Sequence, residues 1–221
     1  MAWTEQPIFF VDFEGSRASG VLEYGVATLL EGRIVETKTR MCGATGPVSA
    51  QDTEIHGLGA DALKGAEPLS ADWEYFAGLR ERGPLAAHYA GAENSLLKAV
   101  WPYPRRSPDF VWPGGWIVDW GPWIDSARLY SQLYPQFGSG RLEALVGAAG
   151  LQDELDSLAA LHCPEKRRRF HAALYDAIAG ALLLGALARI PQCARLSLGQ
   201  LLAISTLDGE KRDRMRQGEF W

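Results

Sequence analysis

The sequence predicts an α/β fold in which a mixed β-sheet is flanked by helices. Three segments rich in apolar and β-branched residues open the chain, and a Glu-Gly pair typical of a hairpin turn separates the second from the third. After residue 70, strand-like and helix-like segments alternate, which is typical of parallel strand pairing. A hairpin joined to parallel strands makes the predicted sheet mixed.

The first three strands are predicted over residues 8–14, 22–30 and 33–41. Residues 8–14 form a continuous apolar run that is closed by a Gly-Ser turn, as is typical of a buried strand. Residues 43–69 are rich in Gly, Pro and Asp, and they predict loops with at most a short helix.

The rest of the chain predicts two short strands among helices. Ser70 is a candidate N-cap for a helix that runs to residue 82, and residues 116–119 form a strand-like run. Residues 150–165 show no clear periodicity and are predicted to be irregular. The remaining predictions are a strand over 85–88 and helices over 93–101, 126–134, 141–149 and 172–189.

Composition and charge exclude several classes of protein. The 27 acidic and 22 basic residues give a net charge of −5, which argues against a non-specific nucleic-acid coat but allows a local basic strip. The three cysteines are too far apart for a zinc site or a disulfide framework, and we expect them to be reduced. The sequence shows no signal peptide, and its most apolar run, 177–190, is too short to span a bilayer. We therefore expect a cytoplasmic protein with no membrane partner.

Asp12 and Glu14 are the first candidates for chemistry. Residues two apart on a strand share a face, so both carboxylates project together from the end of an apolar strand. Two like charges in a partly dry place are unfavourable, and a divalent cation with hard oxygen ligands would remove the conflict. The alternative is that Glu14 faces water at the strand end.

His171 and Asp176 are the second candidates. Five residues on a helix leave two side chains about 140° apart, so these two share a site only if His171 precedes the helix and Asp176 lies one turn in. The alternative is a capping His and a solvated Asp.

Two further segments are ambiguous when each is taken alone. His88 and Glu93 span a strand-to-helix junction, where His88 suits a hydrogen-bonded core histidine and Glu93 suits the helix dipole. Residues 166–169 (KRRR) form the clearest basic run, which is either a phosphate-binding patch or a solvated surface.

Taken in order, these segments resemble the DEDDh 3′–5′ exonucleases, the family of the polymerase proofreading subunit, RNase T and oligoribonuclease. The family's Asp-x-Glu motif is matched at residues 12–14, its His-Asn-x-x-Phe-Asp motif loosely at 88–93, and its His-x-x-x-x-Asp motif at 171–176. Weaker matches lie between them, and the resemblance covers roughly residues 7–189.

The resemblance implies a ribonuclease-H-like version of the mixed sheet, with an exonuclease-like domain over 1–189 and a C-terminal extension over 190–221. The charged end of that extension, 207–221, is predicted to be loosely attached. The implied activity is two-metal hydrolysis of phosphodiester bonds at the 3′ end of single-stranded DNA or RNA, with homodimers among the relatives. The implied roles are two Mg²⁺ or Mn²⁺ ions held by Asp12, Glu14, Glu93 and Asp176, His171 as general base, and Phe13, His56 and His88 around the terminal nucleotide.

The sequence departs from the family pattern in its second motif. Glu93 stands where the family usually has Asp, and Tyr89 and Ala92 replace its Asn and Phe. Two other functions therefore stay open. One is a catalytically impaired or inactive binding module that keeps the fold, and the other is a metal phosphoesterase acting on small nucleotides.

Overall fold

The computed structural model describes residues 2–112 and 114–206. A five-stranded mixed sheet lies at its centre, in the order β3-β2-β1-β4-β7. The strands are β1 Ile8–Ser16, β2 Gly20–Leu30, β3 Arg33–Met41, β4 Leu85–Ala87 and β7 Ile124–Asp125, while β5 Ser107–Pro108 and β6 Trp116–Ile117 form a separate pair. The helices are α1 Ala50–His56, α2 Trp73–Arg82, α3 Ala90–Val100, α4 Ser126–Leu133, α5 Leu142–Ala148, α6 Gln152–His162, α7 Ala173–Ala188, α8 Pro191–Ala194 and α9 Leu198–Ser205.

The pairing confirms the predicted mixed sheet flanked by helices. β1, β2 and β3 are antiparallel neighbours, and Glu31 and Gly32 both adopt positive φ at the β2–β3 turn, as a two-residue hairpin loop requires. β4 pairs in parallel with β1 and with β7, so the hairpin and the parallel strands share one sheet.

The strand predicted over residues 116–119 is confirmed only at residues 116 and 117, which pair with β5 outside the main sheet. The fifth strand of the main sheet is instead β7, Ile124–Asp125, which is too short to show a periodic pattern. Two other predicted elements were wrong. Residues 150–165 contain α6, which buries only Leu155 and Ala159, one turn apart. Ser70 is not an N-cap, because a 3-10 turn over Leu69–Asp72 precedes α2.

Each face of the sheet has its own apolar core. Alternation along β1 sends Ile8 and Phe10 to the face covered by α7, and Phe9 and Val11 to the face covered by α2. The buried helix α7 reaches the sheet closely because Gly180 lies against the Phe10 ring, where a Cβ would come within 2.0 Å of it. The face under α7 therefore carries the even-numbered residues of β1, which include Asp12 and Glu14.

The chain beyond residue 189 also contacts the sheet. α9 packs against α4 and β7, and Leu198, Leu201 and Leu202 are buried in the core under α7. The division into 1–189 and 190–221 stays a prediction, and the predicted loose end at 207–221 lies outside the described residues. Among the described helices, none combines the length and the apolar character that crossing a bilayer requires.

Candidate metal centre

β1 delivers two carboxylates to the face of the sheet under α7. Asp12 lies opposite Gly25 and Glu14 opposite Glu23 on β2, and a register shift follows directly after Glu14. Glu14 is only 8% exposed, whereas Asp12 keeps partial exposure. The strand therefore holds both carboxylates side by side at its carboxyl end, as the Asp-x-Glu spacing predicts.

The first turn of α7 brings Asp176 to the same place. Its Oδ2 accepts a hydrogen bond from the backbone N–H of His171 at 3.0 Å, across the start of the helix. The helix can approach β2 because Gly25 has no side chain: a Cβ there would lie 2.3 Å from backbone atoms of Ala173 and Leu174.

His171 stands just before α7, in the left-handed region at φ +61°. Its side chain is exposed, and one of its ring nitrogens, a Glu14 oxygen and an Asp176 oxygen lie within 4.8 Å of one another. Because His171 precedes the helix and Asp176 lies one turn in, the two side chains meet despite their spacing.

Glu93 reaches the cluster from the first turn of α3, on a different element from the other acids. It is 7% exposed, and its pKa is raised first by burial and then by the charges of Glu14 and Asp176, while a hydrogen bond from the Phe13 backbone N–H lowers it. Glu93 and Asp176 in turn both raise the pKa of Asp12. Folding therefore gathers four carboxylates that are distant in sequence.

Burial is the main reason why the pKa of each acid is raised, and mutual repulsion adds to it. Burial raises the pKa of Glu14 and of Glu93 to about 8, and that of Asp176 to about 7. The pKa of Asp12 lies well above its usual range for the same cause, with Asp176 as its strongest charged neighbour. A cluster of this kind is costly to ionise unless a cation accompanies it.

The donor set fits a hard divalent cation. Within the described ranges, Glu93 Oε2 and Asp176 Oδ1 are buried and have no hydrogen-bond partner. A buried carboxylate oxygen without a partner is unfavourable, and coordination to a metal ion would satisfy it. Carboxylate oxygens are the ligands that Mg²⁺ and Mn²⁺ prefer.

A fifth carboxylate, Glu23, lies beside the cluster and was missed in the sequence. It is 2% exposed on β2, and both of its oxygens accept hydrogen bonds from the guanidinium of Arg167. Glu23 Oε2 also accepts the N–H of Ala173 at 3.1 Å, and Arg167 Nη2 donates to the carbonyl of His171 at 3.2 Å. This ion pair therefore ties the loop that carries His171 to β2. The signal available in the sequence was that Glu23 is the single charged residue in the apolar run of β2.

The predicted nucleotide-binding residues lie in different settings. Phe13 is buried, with its ring centroid 5.7 Å from that of Phe76. His56 is 3% exposed; its Nδ1 accepts the Leu58 N–H, and its Nε2 is buried without a partner in the described part of the chain. The role of Phe13 and His56 beside the terminal nucleotide stays a prediction.

His88 is bound on both ring nitrogens by the protein itself. Its Nδ1 lies 2.8 Å from Ser126 Oγ, and its Nε2 lies 2.7 Å from the carbonyl oxygen of Gly140. With 8% exposure, His88 ties β4 to the start of α4 and to the loop before α5. Its position gives the predicted nucleotide contact no support and suits the alternative of a hydrogen-bonded core histidine.

Comparison with solved structures identifies the fold, whereas no family profile and no curated protein matches the sequence. The chain is similar to exonuclease X in complex with 5′ overhanging duplex DNA, with a TM-score of 0.62 and 19% identity over 90% of this chain and 99% of the other. It is also similar to a full-length 3′-exonuclease, with a TM-score of 0.61 and 13% identity over 87% and 84% of the two chains. A third similar structure is the nuclease domain of 3′hExo, a DEDDh family member, bound to rAMP, with a TM-score of 0.58 and 13% identity over 88% and 98%. The chain therefore has the fold of the DEDDh-type 3′–5′ exonucleases.

Proposed function

We propose that this chain is a divalent-metal-dependent exonuclease that hydrolyses phosphodiester bonds at the 3′ end of single-stranded DNA or RNA. The observation that carries the proposal is the convergence of Asp12, Glu14, Glu93 and Asp176 beside the exposed ring of His171. The similarity to structures of exonucleases supports the same activity.

The four carboxylates would hold two Mg²⁺ or Mn²⁺ ions. Such ions, when bound, supply Lewis acidity to an attacking water and to a leaving oxygen. Four ligand charges against four cationic charges leave a nearly neutral site, which can accept a phosphodiester anion.

His171 would act as the general base that takes the proton from the attacking water. Its exposed ring lies within reach of the acids, and its backbone is held at both ends, by Asp176 at the N–H and by Arg167 at the carbonyl. Phe13 and His56 would lie beside the terminal nucleotide, and the exposed ring of Tyr89, at the start of α3, is available to stack on a base.

The test uses single-stranded DNA and RNA oligonucleotides labelled at the 5′ end. With Mg²⁺ or Mn²⁺, we expect a ladder that shortens one nucleotide at a time from the 3′ end, and a chelator should abolish it. Asp12→Ala should abolish turnover, whereas His171→Ala should lower it strongly and leave Mn²⁺ affinity, measured by calorimetry, largely intact. Unchanged turnover in Asp12→Ala would exclude this site as the source of the activity.

The altered second motif supports a second candidate function. Glu93, Tyr89 and Ala92 depart from the family motif, which favours a binding module with weak or no catalysis. Single-strand binding without hydrolysis under any divalent ion would support that candidate. A cleavage rate that falls steeply as the oligonucleotide becomes longer would instead indicate a phosphoesterase for small nucleotides.

A further inference from the structure

The three arginines of the basic run 166–169 have different surroundings. Arg167 is buried and neutralised by Glu23. Arg168 is exposed and donates to two carbonyls at the end of α6, that of Ala160 in the helix at 3.0 Å and that of the C-cap residue Cys163 at 3.2 Å. Arg169 is exposed and, over residues 2–112 and 114–206, makes no hydrogen bond or ion pair. Its charge is therefore available to a ligand.

The guanidinium of Arg169 lies against the backbone at the end of α1. A Cβ placed on Gly57 would come within 2.6 Å of Arg169 Nη2. The guanidinium can therefore occupy this position because Gly57 has no side chain. Gly57 directly follows His56 and adopts φ +75°, a conformation that favours glycine.

The same guanidinium lies near the acidic cluster. Its charge lowers the pKa of both Glu14 and Asp176, and it lies two residues before His171. Beside the four clustered carboxylates, Arg169 is an exposed cation that forms no ion pair within the described residues.

We propose that Arg169 contacts a backbone phosphate of the bound strand, at the rim between the end of α1 and the acidic cluster. The inference rests on the proposed nuclease function and names a contact that holds its substrate. A guanidinium presents a planar fork of donors that matches phosphate oxygens, and it is weakly hydrated. Without metal ions the clustered carboxylates repel a polyanion, and with them the site is nearly neutral; in both cases an exposed cation beside the cluster attracts a phosphate of the strand.

The test compares Arg169→Ala with Arg168→Ala, which removes the same charge one residue away. Binding of a fluorescent single-stranded oligonucleotide is measured by anisotropy in chelator over a range of salt concentrations, so that no hydrolysis is needed. Arg169→Ala should raise Kd about tenfold and lower the slope of log Kd against log salt by about 0.7, the value for one phosphate contact to a single strand. Arg168→Ala should bind as the unmodified chain does, and Arg169→Lys should recover the slope because it keeps the charge.

The outcomes separate this contact from the proposed function. Equal binding by the two alanine variants, with the unmodified chain binding well, would overturn the Arg169 contact and leave the nuclease proposal standing. Failure of the unmodified chain to bind a single strand in chelator would overturn the Arg169 contact, and the additional absence of hydrolysis with Mg²⁺ or Mn²⁺ would overturn both. Circular dichroism melting of each variant shows whether it is folded, and because Arg169 is exposed we expect no change in Tm.

Discussion

Replacing Gly25 with alanine should separate α7 from β2 at the point that positions the candidate metal centre. Gly25 is buried on β2, opposite Asp12 on one side and Thr39 on the other. A Cβ at this position would lie 2.3 Å from backbone atoms of Ala173 and Leu174, where ordinary contact begins at 3.4 Å. The helix start must therefore move by about 1 Å, since backbone cannot rotate aside as a side chain can.

The expected effects follow from that displacement. Overpacking of a close contact costs about 1–3 kcal/mol of unfolding free energy. The moved segment carries Asp176 and adjoins His171, and a misplacement of about 1 Å at a reacting centre can lower turnover about 100-fold. Gly25→Ala should therefore lose turnover by more than its loss of stability accounts for under conditions where it is fully folded.

Urea denaturation followed by circular dichroism gives the stability, and the oligonucleotide assay gives turnover. The matched control is Gly147→Ala in α5, where an added Cβ would meet nothing within 4 Å. Removing a helical glycine should stabilise that variant by up to about 1 kcal/mol without changing turnover. If Gly25→Ala matched the unmodified chain in both measurements, the claim that helix–strand contact positions the site would be refuted.

Three other predictions concern charge and buried polar groups. In the folded state, the pKa values of Glu14, Glu93 and Asp176 are raised to about 7 or 8 from 3.8 or 4.5, so between these limits the folded state binds protons that the unfolded state has lost. Thermal stability in chelator should therefore fall as the pH rises from about 4 to 8. Added Mn²⁺ should restore the stability most near pH 8. Glu23→Ala leaves Arg167 buried without its partner and should cost about 3–5 kcal/mol in urea denaturation, most of which Glu23→Ala combined with Arg167→Met should recover. Arg80→Met deprives the carbonyls of Pro108, Asp119 and Gly121 of their donor, so limited proteolysis should cut residues 108–121 faster; equal cutting would contradict this role.

Local patterns explain which parts of the fold were predictable. The alternation of β1 and the Glu-Gly turn each depend on neighbouring residues, so the hairpin and the shared face of Asp12 and Glu14 could be inferred directly. The 3.6-residue turn likewise required His171 to precede its helix, and the structure places it there. By contrast, β7 has two residues and α6 buries two side chains, which is too little periodicity to detect.

Contacts between distant segments could not be predicted in the same way. Glu23 and Arg167 are 144 positions apart, and the partners of His88 on Ser126 and Gly140 are 38 and 52 positions away. Such pairs arise when the sheet and its helices close around a common core, and no spacing along the chain records them.

By itself, the sequence determined the fold class, the acidic pair on β1 and the relation of His171 to α7, since these depend on residues that are neighbours in the chain. Tertiary structure alone decided that Glu93 meets the other acids, that Glu23 neutralises Arg167, and that Arg169 is left with its charge unpaired within the described residues. The physical reason is that burial and charge compensation are properties of the packed assembly, in which elements far apart in sequence exclude water from one another.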